Sequence, residues 1–159
     1  MAIDRARAHL RSLGMEDRVM EFDVSSATVE LAARAVGCEP ARIAKTLSFA
    51  VGGRVALVVA AGDARVDNRK FKDAFHAKPK MLAASEAEER IGHGVGGVCP
   101  FGVNEDCDVY LDESLRRFDE VFPACGSPSS AVRLSPAELE ACTQPCTWVD
   151  VCKLPQVQE

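Results

Sequence analysis

Gly92-His93-Gly94-Val95-Gly96-Gly97-Val98-Cys99-Pro100-Phe101-Gly102 holds five glycines and a proline in eleven residues. Glycine is costly inside helices and strands, and proline removes a donor from either, so this run reads as a long loop. Glycine also lets a ligand approach the main chain directly, and proline fixes the exit geometry. The stretch therefore reads as a binding loop built of backbone amides, and its neighbours read as the scaffold that holds it.

Upstream of the loop, Ser85 with Glu88 three residues on has a capping-box pattern and predicts a helix. Before it, Asp67 or Asn68 caps a helix over Arg69 to Phe75. Val55 to Ala61 is an unbroken apolar run, expected of a central strand, and it ends at Gly62-Asp63. Gly52-Gly53 predicts a hairpin turn back to a strand over Leu47 to Val51. Lys45-Thr46 falls where that strand meets a short helical turn from Pro40 to Ile43. Nearer the N-terminus, Ile3 to Leu13 reads as a helix ended near Gly14, and Arg18 to Val24 as an edge strand. Ser25-Ser26 offers an N-cap to a helix whose apolar face is Val29, Ala32, Ala33 and Val36, closed by Gly37.

Downstream, Val109 to Leu111 reads as a short strand and Leu115 to Phe118 as a helical turn. Glu120 to Ala124 and Ala131 to Leu134 read as strands joined by Cys125-Gly126-Ser127-Pro128-Ser129-Ser130. Ser135-Pro136-Ala137-Glu138 has the cap, the first-turn proline and the third-position glutamate of a helix start. Trp148 to Val151 reads as a last strand. Strands and helices mix without strict alternation, so the expected class is α/β in the α+β sense: one domain over residues 1–159, a mixed sheet with helices around it.

Of the 159 residues, 47% are apolar, enough for one real core. No run of 18 apolar residues predicts a membrane span, and the N-terminus shows no signal-peptide pattern, so a cytoplasmic protein is expected. Seven cysteines, an odd number without a secretion signal, point to reduced thiols. Cys142, Cys146 and Cys152 lack a fourth ligand, a second close cysteine pair and a nearby histidine, so no metal is expected. The chain carries −5, yet Arg42 to Lys80 holds nine basic residues against three acidic, a local +6. Such a segment suits a polyanion, or is simply a solvated helix face.

Gly92, Gly94 and Gly97 match a dinucleotide fingerprint, but a charged helix precedes them and Cys99-Pro100-Phe101 follows, the reverse of the strand-loop-helix context required. No ATPase-type phosphate loop occurs either. Cys99 and His93 could form a nucleophile and base, or a packed thiol and a histidine flanking a pocket. His9 and His76 sit in helical segments. Lys45, between apolar residues and a strand, presents either a fixed cation for a phosphate or ester carbonyl, or a snorkelling surface amine.

Arg42-Ile43-Ala44-Lys45-Thr46-Leu47, Val58-Val59-Ala60-Ala61-Gly62-Asp63, Gly96-Gly97-Val98-Cys99-Pro100-Phe101-Gly102 and Cys125-Gly126-Ser127 come in the order and spacing of the YbaK family. The chain resembles those small deacylases of mischarged tRNA, relatives of the editing domain of bacterial prolyl-tRNA synthetases, from Ser25 to Leu139. The resemblance implies a mixed, mostly antiparallel sheet wrapped by helices, and hydrolysis of the ester between a wrong amino acid and tRNA, tRNA-Pro being expected. It implies neither metal, cofactor nor protein nucleophile. Lys45 would anchor the terminal adenosine and ester, and the loop from Gly96 through Gly97 and Val98 to Pro100 would bind the aminoacyl group and developing oxyanion. Thr46, Gly62, Asp63, His93, Cys99, Pro100, Gly126 and Ser127 would complete the substrate site. The attacking group would be a water or a tRNA ribose hydroxyl. The expected partners are the acceptor end of mischarged tRNA and prolyl-tRNA synthetase, with no membrane. Cys99 stands where cysteine-removing members carry serine, and Gly126 to Ser130 replaces a more glycine-rich, basic segment. The other reading is a module that grips an aminoacyl-tRNA end or a synthetase without hydrolysis.

Overall fold

The computed structural model describes residues 2–94 and 96–155; Val95, inside the glycine run, lies outside the described residues. Helix α1 (Ala2–Ser12) leads into strand β1 (Val19–Glu21), helix α2 (Val29–Val36) and a 3₁₀ turn over Pro40–Arg42. Strands β2 (Ile43–Val51) and β3 (Arg54–Ala61) form the long antiparallel hairpin. Its turn is Gly52-Gly53, with φ of 57° and 82°, the paired positive values of a two-residue hairpin. Strand β4 (Arg65–Val66), helices α3 (Asn68–Phe75) and α4 (Ala84–Ile91) and the glycine loop then precede β5 (Cys107–Asp112). Strands β6 (Phe122–Pro123) and β7 (Ser130–Val132), helix α5 (Pro136–Cys142) and strands β8 (Cys146–Val149) and β9 (Cys152–Lys153) complete the chain.

The main sheet has the order β6-β2-β3-β5-β8. Past Arg54, β3 is buried throughout, as expected of an unbroken apolar run at a sheet centre. The sheet is mixed: β2–β3 is antiparallel, while the described junctions β2–β6, β3–β5 and β5–β8 are parallel. The remaining antiparallel pairs are the small ladders β1–β7 and β4–β9. Because β3 and β5 run side by side in the same direction, the chain between them must cross over, and the glycine loop lies on that crossover.

Side chains alternate across β2, so its two faces meet different partners. Phe49 packs toward Phe71, Phe75 and Tyr110, an aromatic chain with centroids 4.4–4.8 Å apart. On the hairpin's other face, Val55 and Leu57 pack with Leu82, Ala87 and Ile91.

Several local expectations differ. Ser85 does not cap α4; the helix begins at Ala84, Ala83 holds the cap position, and no side chain bonds there. Burial of Ala87 and Ile91 fixes that helix in place of a cap. Thr28, not Ser25 or Ser26, caps α2 by accepting from the Leu31 amide. Lys45 and Thr46 lie inside β2, not before it. β6 and β7 pair with β2 and β1, and between the two segments the ladder is reduced, among the described residues, to an isolated Val121–Leu134 bridge. The last strand is displaced toward Cys146 and followed by β9. The Ser135 capping box forms as its sequence predicts, with Glu138 returning to the Ser135 amide at 2.9 Å.

Gly62 ends β3 against the Pro40 turn; a Cβ there would collide with the Pro40 carbonyl oxygen and lie 2.8 Å from Val29 Cγ1. Gly62→Ala is therefore expected to destabilise the fold by about 1–3 kcal/mol in urea unfolding. Gly94→Ala, with nothing within 4 Å of the new Cβ, is the control and should be near neutral.

Candidate active site

A cavity of about 320 Å³ opens between the approach to α2, the edge of β2, the start of α4 and the glycine loop. β2 supplies its floor, with Ala44, Thr46 and Ser48 on one strand face and Lys45 in the same wall. Gly96 and Val98 enter from the loop, and Met81 and Leu82 from the segment before α4. That segment lies along β2 through Ala50 N–H to Lys80 O and Leu82 N–H to Ser48 O, each 2.9 Å. Ser26 and Ser130 close the opposite side.

The Lys45 ammonium is carried to the end of β3, where it donates to the carbonyls of Gly62 (3.3 Å) and Ala64. Burial holds it below the ordinary lysine range, with nearby Cys152 and Asp63 acting in the opposite direction. Two of its three N–H donors thus have protein partners. The Thr46 hydroxyl is buried and has no hydrogen-bond partner among the described residues. The other hydroxyls are engaged differently: Thr28 caps α2, Ser26 donates to the Ser130 carbonyl at 3.5 Å, and Ser130 accepts from the Cys125 amide at 3.2 Å.

Gly96 has φ of 89°, a left-handed conformation that favours glycine, and its Cα faces Pro128 and Ala27. Gly97 is needed for a different reason from the one its sequence suggests. A Cβ at Gly97 would come within 2.6 Å of Ser127 N and 2.7 Å of Gly126 C, so the residue packs main chain on main chain against the 125–130 turn. Its amide donates to Gly94 O at 3.1 Å. Gly126 and Ser127 thereby support the loop from behind rather than lining the cavity.

His93, Cys99 and Pro100 are buried under the loop and are not part of the cavity wall. His93 Nε2 donates to Phe101 O at 2.7 Å, leaving Nδ1 as a buried lone pair without a partner among the described residues. Burial pushes this imidazole below its usual range, so it stays neutral. Cys99 Sγ lies 3.5 Å from His93 Nε2, but that nitrogen is committed to the carbonyl, and complete burial pushes the thiol far up. The pair is a packed thiol and a structural histidine, not an activated nucleophile. Asp63 likewise faces away: Arg117 grips both its oxygens at 2.6 and 3.1 Å and holds its carboxyl below the usual range.

The structure thus gathers Lys45, Thr46, Gly96 and Val98 around one cavity, with Gly97, Gly126 and Ser127 behind the loop. Ser26, Ser48, Met81 and Ser130 also face the cavity and were not singled out by sequence. Ser26 carried a signal as a cap candidate; Met81 carried none. Among the described residues, no group of three His, Cys, Asp or Glu side chains is arranged to hold a metal. No helix there is long and apolar enough to cross a membrane.

A family model described as the aminoacyl-tRNA editing domain matches residues 24–142. The chain belongs to the aminoacyl-tRNA editing domain family. An uncharacterised Bacillus subtilis protein, YwhH, is 50% identical over 154 residues, covering 96% of this chain and 98% of its own. EbsC of Enterococcus faecalis, named as a candidate Cys-tRNA(Pro)/Cys-tRNA(Cys) deacylase, is 29% identical over 73% of this chain and 72% of its own. Proline–tRNA ligase of Lysinibacillus sphaericus is 32% identical over 56% of the chain, which spans only 16% of that enzyme. A solved structure described as a candidate trans-editing enzyme for prolyl tRNA synthetase superposes with a TM-score of 0.86 at 31% identity, covering 96% of this chain and 97% of that one. The two chains therefore share one backbone fold over nearly their whole length.

Burial of the thiols of this editing domain sets a chemical expectation. Cys99 and Cys125, the latter pushed up to about 12 by burial, should resist iodoacetamide at pH 8 while partly exposed Cys38 and Cys146 are alkylated. Peptide mass spectrometry with and without denaturant measures this; rapid native labelling of Cys99 would return it to consideration as a nucleophile.

Proposed function

We propose that this editing domain acts as a free-standing deacylase that hydrolyses the ester joining a wrong amino acid to the 3′ end of tRNA, with tRNA-Pro as the expected carrier. The observation that carries this reading is the cavity itself. Loop backbone at Gly96 and Val98 faces the β2 floor at Lys45 and Thr46 across a space suited to a small aminoacyl ester. The names of the relatives support the same chemistry: EbsC as a deacylase, and the solved neighbour as a trans-editing enzyme.

In this reading, the ester enters with its carbonyl against the loop. The Gly97 amide is engaged with Gly94, so the oxyanion donor is assigned to the Val98 amide. The Lys45 ammonium, held in place by two carbonyls, fixes the ribose end with its third donor. Water or a ribose hydroxyl attacks, no side chain becomes acylated, and no metal is required. Rate then comes from positioning and from dipoles set before the substrate arrives. The partners are the mischarged tRNA and, through it, prolyl-tRNA synthetase. A module that grips the same tRNA end without hydrolysis is the alternative, favoured by the engagement of Lys45 with protein carbonyls. Release of free amino acid from a panel of purified mischarged tRNAs decides between the two.

Lys45→Ala, folded by circular dichroism, should lose at least 10- to 100-fold in single-turnover deacylation, and a chelator should leave the wild-type rate unchanged. Because burial lowers the Lys45 pKa, the ammonium is lost as pH rises through a value below that of ordinary lysine. The enzymatic rate, corrected for spontaneous hydrolysis, should therefore fall on the alkaline side earlier than an exposed lysine would allow. A flat alkaline limb, or full activity in Lys45→Ala, removes Lys45 from the mechanism.

Binding should weaken with salt, through a subset of the basic segment. Arg42, Arg54 and Lys70 are paired with Asp119, Asp108 and Asp150. Lys78 and Lys80 are exposed, have no ion-pair partner among the described residues, and precede the cavity residue Met81. Neutralising Lys78 and Lys80 should reduce the salt slope by about two, and neutralising Lys70 by less. Titrations at several salt concentrations measure both.

A further inference from the structure

A single exposed apolar side chain is ordinary on a protein surface, and Leu13, Val24, Leu31 and Leu154 are of that kind. Met81 is 57% exposed too, but it alone of these five lines the cavity. Its main chain is fixed. Met81 faces Phe49 of β2 in an antiparallel bridge, between the 2.9 Å bonds from Ala50 N–H to Lys80 O and from Leu82 N–H to Ser48 O. Its side chain is not part of the hydrophobic clusters. Lys78 and Lys80, three residues and one residue before it, are exposed and have no carboxylate partner among the described residues. A polarisable apolar side chain at the cavity mouth, on a rigid backbone and beside two free ammonium groups, has the parts of a site for single-stranded nucleic acid. The thioether offers a stacking surface for a base, and the cations suit phosphates.

Resting on the deacylase reading, we infer that Met81 is the stacking platform for the base of the nucleotide before the esterified one, with Lys78 and Lys80 on the phosphates that flank it. Depth divides the substrate. The aminoacyl group goes into the cavity, so side chains left at its mouth meet the unpaired nucleotides behind it. Position along β2 assigns which nucleotide. The Lys45 ammonium, which holds the terminal ribose in that reading, is turned toward Gly62 and Ala64, past the Ala44–Ala61 pair. Phe49, opposite Met81, lies four residues the other way, about 13 Å along the strand. The 3′ strand therefore runs along β2, with its last ribose at Lys45 and the preceding nucleotide at Met81. Stacking on a thioether is indifferent to base identity, so the contact adds affinity and register without reading sequence.

The test uses a mischarged tRNA that the wild type deacylates, acylated chemically in three forms: intact, abasic at the nucleotide before the last, and abasic at the last. Met81→Ala, folded by circular dichroism, should raise KM for the intact form by about fivefold or more and leave kcat within about twofold, because the contact lies away from the ester. Met81→Leu keeps an apolar side chain of similar volume and should hold KM near the wild-type value. Loss of the penultimate base should raise the wild-type KM by as much as Met81→Ala does, and Met81→Ala should add nothing to that loss. An unchanged KM in Met81→Ala, a KM that Met81→Leu leaves raised, a full added loss on the penultimate abasic form, or coupling to the terminal base instead overturns the assignment while the deacylase reading stands. Absence of hydrolysis of any mischarged tRNA by the wild type overturns the deacylase reading and this inference with it.

Discussion

Main chain lying directly on main chain at three glycines is the contact on which the cavity depends. Gly97 rests on the Gly126–Ser127 backbone, Gly126 rests on Ala2 at the start of α1, and Gly62 rests on the Pro40 carbonyl. A methyl group at Gly97 or Gly126 would come within 2.6 Å of backbone atoms that cannot rotate away. The result is a stack of loop, turn and helix with no side chains between the layers. Arg5 then laces it from the side: its guanidinium donates to Asn104 Oδ1 at 2.8 Å, and the Asn104 amide closes the neck of the glycine loop on Ile91 O at 2.9 Å. A loop rich in glycine is held by its neighbours rather than by its own propensity. That permits a backbone-lined site to be both accessible and pre-set.

The polar groups inside the fold divide into those that hold it and those left over. Asp112 is buried, yet it accepts from the Ser114 and Val151 amides at 2.9 Å each and ties β5 to the chain before β9. Ser114 in turn accepts from the Ala61 amide at the end of β3. Set against this accounting, the Thr46 hydroxyl and His93 Nδ1 stand out as unpartnered among the described residues. Their positions differ. His93 sits behind the loop with its other nitrogen fixed, so its lone pair faces packed protein. Thr46 lies on β2 among the residues that line the cavity.

What could be read in the sequence was whatever local chemistry decides. The Gly52-Gly53 hairpin, the Asp67 cap, the Ser135 capping box and the central β3 each depend on residues adjacent in the chain, and each formed as its pattern predicts. What escaped depends on distant partners. Ser85 had the right cap chemistry, but the burial of Ala87 and Ile91 placed the helix start at Ala84. The parallel pairings of β5 with β3 and β8 have no signature in a short apolar run. At residue 97 the glycine run predicts close approach of a ligand to the main chain, whereas the group that lies against it is the protein's own turn. The site was half legible for the same reason: motif residues flag the loop and Lys45, while Met81 and Ser130 enter the wall only because strands far apart in sequence meet.

Charge and cavity have separate work in the proposed reaction. The chain is net negative, and several cations of its basic segment are neutralised by nearby carboxylates. The cations of that segment that stay exposed without a carboxylate partner among the described residues, Arg65, Arg69, Lys72, Lys78 and Lys80, act on a polyanion mainly within a Debye length. For an enzyme that must release its deacylated tRNA before the next turnover, tight uniform binding of phosphate would slow the cycle without lowering the chemical barrier. A weakly charged approach combined with a rigid, backbone-lined cavity places the discriminating interactions on the ester and its side chain, the parts of the substrate that hydrolysis separates. The tRNA body then needs to be recognised only well enough to deliver its end.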